Sequence, residues 1–150
     1  MNLTPDIELI KLSDHNYYMI EILVEESIVE GFQMVERTIL DWNSGANRFW
    51  GIGESFWGLL WKGELIGIGG LNIDPYVDNV CTGRIRHLYI RKQFRRQGFA
   101  KILMSEIVKE ARQYFTKLRL YTDNPEAALF YQFLGFKPID DLKVSHQLIF

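Results

Sequence analysis

A glycine-containing turn between a strand-like and a helix-like segment constrains the fold of this chain most. Residues 85–90 are rich in β-branched and aromatic side chains, which is typical of a strand. After the turn, apolar residues recur at every fourth position and line one side of a helix: Phe99, Leu103, Ile107, Ala111 and Phe115. Such a turn directs free backbone N–H groups and the positive end of a helix dipole at one point. Because Gly98 lacks a Cβ, a phosphate can approach the main chain closely there. The turn is therefore predicted to bind an anion such as a diphosphate.

The charges around this turn support a phosphate ligand. Residues 84–101 contain seven Lys and Arg residues and no Asp or Glu, whereas the whole chain has a net charge of −2. Charged donors form hydrogen bonds to phosphate worth about 1.5–3 kcal/mol each, so a few of them can hold a nucleotide-like ligand without a metal. The alternative is a solvated basic turn without a ligand. The strand–turn–helix context favours the phosphate site.

Two segments resemble those of a known family. Arg95-x-x-Gly98-x-Ala100, following a strand, resembles the Q/R-x-x-G-x-G/A diphosphate-binding signature of the GNAT N-acetyltransferase superfamily. Further along, residues 118–136 are similar to the superfamily's strand, Asn, A-x-x-x-Y helix and L-G-F sequence. The two motifs occur in the expected order, and the resemblance is sharp over residues 84–139.

The pattern of apolar residues predicts an α/β fold with the order β-α-α-β-β-β-α-β-α-β-β in one domain, residues 1–150. The predicted strands cover residues 7–12, 55–61, 64–73, 85–91, 118–122, 136–139 and 145–149. The predicted helices cover residues 13–29 (with Ser13-Asp14 as the cap), 32–42, 98–115 and 125–134. The resemblance implies an acyl-CoA N-acyltransferase fold: a mixed, mostly antiparallel central sheet, helices on both faces, and one splayed pair of parallel strands.

The same resemblance implies that acetyl-CoA is the co-substrate. Its pantetheine arm is expected along the main chain of Leu88, Tyr89 and Ile90. Its diphosphate is expected at the turn, against Arg95, Arg96, Gln97, Gly98, Phe99, Ala100 and Lys101. Asn124 precedes a proline and is predicted to cap the last helix, while the resemblance also gives its side chain a contact with pantetheine. Ala127 is small and leaves room for a ligand.

Tyr131 is the candidate general acid. A tyrosine hydroxyl has an ordinary pKa of about 10, so at neutral pH it can donate a proton to a thiolate leaving group. The resemblance gives a tyrosine at this place that role. The helix is predicted to bury Leu129, Phe130, Phe133 and Leu134, with Tyr131 at the edge of that stripe. The alternative is a tyrosine at the edge of the core whose hydroxyl lies in water.

The general base is less defined. Many members of the superfamily carry a Glu on the strand before the turn, at or near the place of Arg84, and this sequence departs from that pattern. His87 lies on the same strand and titrates near neutrality, so it can accept the amine proton directly or through water. It can equally donate to a backbone carbonyl, and a water chain can serve as the base instead. Asp74, Asp78 and Glu30 are further candidate carboxylates near predicted loops.

The acceptor is expected to be a primary amine of a small molecule or a peptide, which attacks acetyl-CoA directly in a ternary complex. The resemblance implies an acceptor site formed by the first two helices and residues 72–83. Glutamates on these helices can attract a cationic amine or form a solvated face: Glu25, Glu26, Glu30 and Glu36. The alternative function is a non-catalytic acyl-CoA-binding or regulatory module, which the absent strand Glu favours and Tyr131 opposes.

Composition narrows the possible partners, metal sites and cellular location of the protein. The net charge of −2 argues against a nucleic-acid partner, and no run approaches the ~20 apolar residues of a membrane span. One cysteine (Cys81) and three scattered histidines predict no metal site. The N-terminal residues lack the pattern of a signal peptide, so a cytoplasmic location is expected. Residues 147–150 are predicted to form an exposed sheet edge that can pair in a homodimer.

Overall fold

The computed structural model describes residues 5–150 and contains one sheet of seven strands. The strands are β1 (Ile7–Lys11), β2 (Ser55–Trp61), β3 (Glu64–Ile73), β4 (Thr82–Ile90), β5 (Lys117–Leu120), β6 (Lys137–Asp141) and β7 (Val144–Ile149). Their spatial order is β1-β2-β3-β4-β5-β7-β6, and only β4 and β5 run parallel. The predicted α/β fold with a mostly antiparallel sheet is therefore confirmed.

Helices cover the two faces of this sheet. They are α1 (Glu21–Val29), α2 (Met34–Ser44), α3 (Phe99–Ala111) and α4 (Pro125–Phe133). α3 packs on β2, β3 and β4, and all five residues of its predicted apolar stripe are buried in the core on that side. α1 and α2 contribute to a second core on the opposite face, which is centred on Trp42 and Phe56. Within the described residues, no helix is long and apolar enough to cross a bilayer.

The first helix begins later than predicted. Ser13 and Asp14 do not cap it, because the side chain of Asn16 accepts from the Ser13 N–H (2.7 Å) and Asp14 Oδ1 accepts from Trp42 Nε1 (2.7 Å). The chain enters α1 through a 3₁₀ turn over Tyr17–Ile20 instead. Asp14 therefore attaches the loop to α2, and the side chains of Ser13 and Asn16 form hydrogen bonds within the loop.

Two further predictions about burial and edges are wrong. Leu129 and Phe133 of α4 are 68% and 75% exposed, whereas Phe130 and Tyr131 pack toward the core. This short helix buries the positions nearest the sheet, and hydrophobicity alone does not identify them. Residues 147–149 belong to an inner strand and not to an edge strand, because β7 lies between β5 and β6, although its pairing with β6 reaches only Gln147.

The parallel strands separate along their length, as predicted. β4 and β5 pair at three positions, of which the last joins Arg84 to Arg119. Beyond that pair, β4 continues to Ile90 while β5 ends at Leu120. A β-bulge in β4 shifts its register against β3, and His87 at the bulge has a left-handed φ of 59°. A gap therefore opens between the two strands on the side where the chain enters α3.

Candidate functional site

The turn before α3 exposes backbone donors. Gly98 takes a left-handed φ of 86° and precedes the helix without a side-chain cap. The first backbone bond of the helix runs from Ile102 N to Gly98 O (3.1 Å), and the amides of residues 97–101 have no acceptor among residues 5–150. A Cβ added at Gly98 would meet no heavy atom within 4 Å. The helix entrance is therefore open, and its N–H groups are suited to an anion.

Arg95 holds this turn against α1. Its guanidinium donates to both carboxylate oxygens of Glu30 (2.7 Å each), and its Nε donates to the Ile90 carbonyl (2.8 Å). The Tyr89 hydroxyl donates to the same carboxylate (2.6 Å). The bond from Arg95 is the main reason why the pKa of Glu30 is lowered, and the same bond raises the pKa of Arg95. The donors of Arg95 are thus largely occupied within the chain.

Two other cations of the basic segment reach from the turn to α4. Arg96 Nη2 lies 3.1 Å from Glu126 Oε1, and these side chains are 84% and 74% exposed. Lys101 Nζ lies 5.5 Å from the centre of the Phe133 ring. Exposed pairs of this kind contribute little to stability, so both cations can exchange their present partners for a phosphate at small cost.

The gap beyond the turn presents main-chain groups of β4. Arg91 N donates to Ile66 O (2.8 Å) and Tyr89 pairs with Ile68, so the intervening Ile90 N–H is directed away from β3 and toward the gap. On the other side, Asn124 caps α4 as predicted: its Oδ1 accepts from Glu126 N (2.9 Å) and Ala127 N (3.3 Å). The cap uses only the oxygen of this amide, so its NH₂ group can still donate to a ligand.

Tyr131 is buried among aromatic rings on the inner side of α4. Its ring packs edge-on to Phe136 at a centroid distance of 5.7 Å and is tilted against Phe130 at 5.5 Å. Burial raises the pKa of the Tyr131 hydroxyl, and that hydroxyl forms no hydrogen bond to residues 5–150. The phenol therefore keeps its proton at neutral pH and has an unused donor.

His87 has an unusual environment at the bulge of β4. Burial, together with the positive charges of Arg86 and Arg37, lowers the pKa of its imidazole to about 3. The ring is therefore neutral at physiological pH and can accept a proton only briefly. A base on this strand would have to pass the proton on to water.

One charged cluster was not predicted from the sequence. Asp74 is 1% exposed and lies between two arginines, with its Oδ2 3.6 Å from Arg84 Nη1 and 3.4 Å from Arg119 Nε. Arg84 also donates to the Lys143 carbonyl (2.6 Å), and its pKa is lowered mainly by burial. The three facing atoms make no hydrogen bond within the described residues. The available signal was an arginine beside apolar residues on each of two strands, Arg84 on β4 and Arg119 on β5.

No group of three or more His, Cys, Asp or Glu side chains is arranged to hold a metal ion in residues 5–150.

Comparisons with known proteins agree with this geometry. A family model described as the acetyltransferase (GNAT) family matches residues 16–136. A protein from Exiguobacterium sp. 255-15 that is assigned as an acetyltransferase is 29% identical, with a TM-score of 0.82 over 96% of this chain and 93% of that chain. An acetyltransferase of the GNAT family from Staphylococcus aureus is 18% identical, with a TM-score of 0.76 over 95% and 98% of the two chains. YncA from Salmonella typhimurium, solved with its cofactor acetyl-CoA, is 12% identical, with a TM-score of 0.71 over 96% and 94%.

Proposed function

Because the chain belongs to the GNAT acetyltransferase family, we propose that it transfers an acetyl group from acetyl-CoA to a primary amine of a small molecule or a peptide. The observation that carries this proposal is the open set of backbone donors at residues 97–101, beside the gap between β4 and β5. A diphosphate at one end of that gap would direct the rest of the donor along β4.

The turn would bind the diphosphate through its amides, with Arg96 and Lys101 as ion partners. Their present contacts with Glu126 and Phe133 are exposed and replaceable. Arg95 would act differently, because its guanidinium is paired with Glu30. Its role in this proposal is to keep the turn in the shape that makes the amides converge.

The gap would hold the pantetheine arm. Main-chain groups of Leu88, Tyr89 and Ile90 lie along one side, where the Ile90 N–H is directed away from β3. The NH₂ group of Asn124 can donate from the other side without loss of its helix cap. Ala127, one turn before Tyr131, leaves space beside the phenol.

The chemistry would then need two proton movements. The amine nitrogen forms a bond to the thioester carbonyl carbon, and the bond from that carbon to sulfur breaks. Tyr131 donates its hydroxyl proton to the departing sulfur and then regains a proton from solvent; its raised pKa keeps the hydroxyl protonated before the transfer. His87 or a water beside it takes the proton from the amine. Since the pKa of His87 is about 3, this proton passes on to solvent.

A second candidate function is a non-catalytic acyl-CoA-binding module. It is favoured by Arg84, which stands at or near the place where many GNAT enzymes carry a Glu, and by the weak basicity of His87. Both functions require the same site for acetyl-CoA, so they differ only in whether the acetyl group is transferred and CoA is released.

Calorimetry with acetyl-CoA tests the donor site. We expect binding that depends on the diphosphate, so acetyl-pantetheine, which lacks this group, should bind about 10²–10⁴-fold more weakly. No detectable binding of acetyl-CoA would exclude both candidate functions. Thiol release in the presence of amines then separates them, because a binding module releases no CoA.

A further inference from the structure

Two arginines on one side of the sheet have no partner in the described residues. Arg37 on α2 and Arg86 on β4 form no hydrogen bond, ion pair or cation–π contact within residues 5–150, and Arg86 is half-buried. The other arginines all have such a contact: Arg48, Arg84, Arg91, Arg95, Arg96, Arg112 and Arg119. A guanidinium carries five donors, so a half-buried one without any acceptor is suited to a ligand.

Both arginines lie near the bulge of β4. α2 packs on β4, and the charges of Arg37 and Arg86 both act on the His87 imidazole. Arg37 also lines a groove of about 360 Å³ at the junction of α1 and α2, together with Phe32. The Phe32 ring packs edge-on to Tyr89 of β4 at 6.1 Å, so this groove adjoins the strand.

The carboxylates nearby do not neutralise this pair. Glu30 is paired with Arg95, and Glu26 with Arg91. In the cluster beside Arg86, the buried carboxylate of Asp74 lies between Arg84 and Arg119, and Arg119 also pairs with the exposed Asp141. Glu36 is the one carboxylate among the residues that line the groove. None of these carboxylates contacts Arg37 or Arg86, so both guanidinium groups keep their donors for an anion.

This surface lies at the closed end of the gap. Arg84 and Arg119 form the last paired position of β4 and β5, and Arg86 follows two residues later on the same side of β4. If the diphosphate binds at the α3 end, the thioester reaches toward this closed end. A group bound by Arg86 would then be close to the acetyl carbon.

We infer that the acceptor is an amine with an anionic group, a carboxylate or a phosphate, which Arg86 and Arg37 bind so that the amine faces the thioester. This inference rests on the proposed acetyl transfer. Guanidinium groups recognise both anions through paired hydrogen bonds. A neutral or cationic amine would leave Arg86 without an acceptor.

Matched amines test this inference through thiol release. One arm compares amino acids with their carboxamides, and a second compares aminoethyl phosphate with ethanolamine. We expect one anionic class to be acetylated with a kcat/KM at least about tenfold above its neutral counterpart. Arg86→Gln and Arg37→Gln should each raise KM for that anionic amine about 10- to 100-fold, with unchanged affinity for acetyl-CoA.

Arg112→Gln is the matched control, because Arg112 stacks on Phe150 and lies outside both sites. It should leave KM unchanged. The inference is overturned if neutral amines react as well as anionic ones, if no anionic amine reacts, or if the Arg37 variant, changed at an exposed position, keeps its KM. Each of those results is compatible with normal binding of acetyl-CoA. If the unmodified protein does not bind acetyl-CoA at all, the proposed function itself is contradicted.

Discussion

Single side chains at this site have properties that depend on what surrounds them. Tyr131 lies among Phe130 and Phe136, and burial raises its pKa so that it remains a proton donor. His87 is affected in the opposite sense, because the same low-polarity surroundings disfavour its charged form. Burial thus keeps the Tyr131 phenol protonated, and burial together with the charges of Arg86 and Arg37 keeps the His87 ring neutral.

The role of Tyr131 is testable with a conservative change. Tyr131→Phe keeps the packed ring and removes only the hydroxyl, so the fold and the affinity for acetyl-CoA should be unchanged. If the phenol protonates the departing thiolate, kcat should fall about 10²–10⁴-fold. Tyr114→Phe, at an exposed position near the end of α3, is the control and should keep full turnover. Unchanged turnover in the Tyr131 variant would assign the proton donor to another group.

The junction of β4 and α3 combines free backbone amides at the start of the helix with a turn that is fixed by side-chain contacts. Glu30 at the end of α1 accepts from both Arg95 and Tyr89, so side-chain contacts hold the turn against α1. Gly98 provides the left-handed conformation and leaves the approach to those amides clear. The side chain of Arg95 holds the turn in place, and the backbone amides of residues 97–101 stay free to bind a ligand.

Gly98→Ala separates binding from folding at this junction. An added Cβ at φ 86° strains the backbone by about 1–2 kcal/mol and places a methyl group where a phosphate would approach. Gly63→Ala is a matched control, since Gly63 has φ 82° and equally open space in the turn between β2 and β3. Both variants should lose similar stability in denaturant unfolding. Only Gly98→Ala should weaken acetyl-CoA binding, by about tenfold or more; equal affinities would argue against the amides as the diphosphate site.

In the folded molecule, His87 lies between the sheet and α2. The protonation of its imidazole therefore affects the free energy of unfolding of the whole protein. The folded pKa is about 3, whereas an unfolded histidine has the ordinary value of 6.5. Between these values the unfolded chain binds a proton that the folded chain does not. Stability contributed by the neutral ring is therefore present above pH 6.5 and is lost as the pH falls toward 3.

His87→Asn should flatten this dependence, because asparagine does not titrate and tolerates the left-handed φ. From pH 7 to pH 4, the unmodified protein should lose up to about 3 kcal/mol more unfolding free energy than the variant. Glu30, with its lowered pKa, costs stability only below about pH 4.5 and does so in both proteins. The exposed His15→Asn should behave like the unmodified protein. Denaturant unfolding at the two pH values measures this loss of unfolding free energy. An equal loss in all three proteins would contradict the role of His87 in the pH dependence.

Features that depend on neighbouring residues in the chain were predictable. The bounds of β2 and β3, the buried stripe of α3 and the cap at Asn124 follow from strand-like runs joined by a hairpin turn, helical spacing and local side-chain chemistry. The open turn at Gly98 belongs to the same class, because the left-handed φ of a glycine between a strand and a helix is a local property of the chain. In these cases the deciding interactions lie within a few residues, so the order of residues is sufficient.

What the tertiary structure alone decided is the partner of each charge and the face of each short element. Arg95 pairs with Glu30, 65 positions away, and Asp74 joins Arg84 to Arg119 across three strands. The buried face of α4 and the lowered pKa of His87 have the same origin. Local sequence states which groups carry charge or apolar surface. Burial and electrostatic pairing, however, depend on distances through space, and only the folded arrangement of distant segments sets those distances.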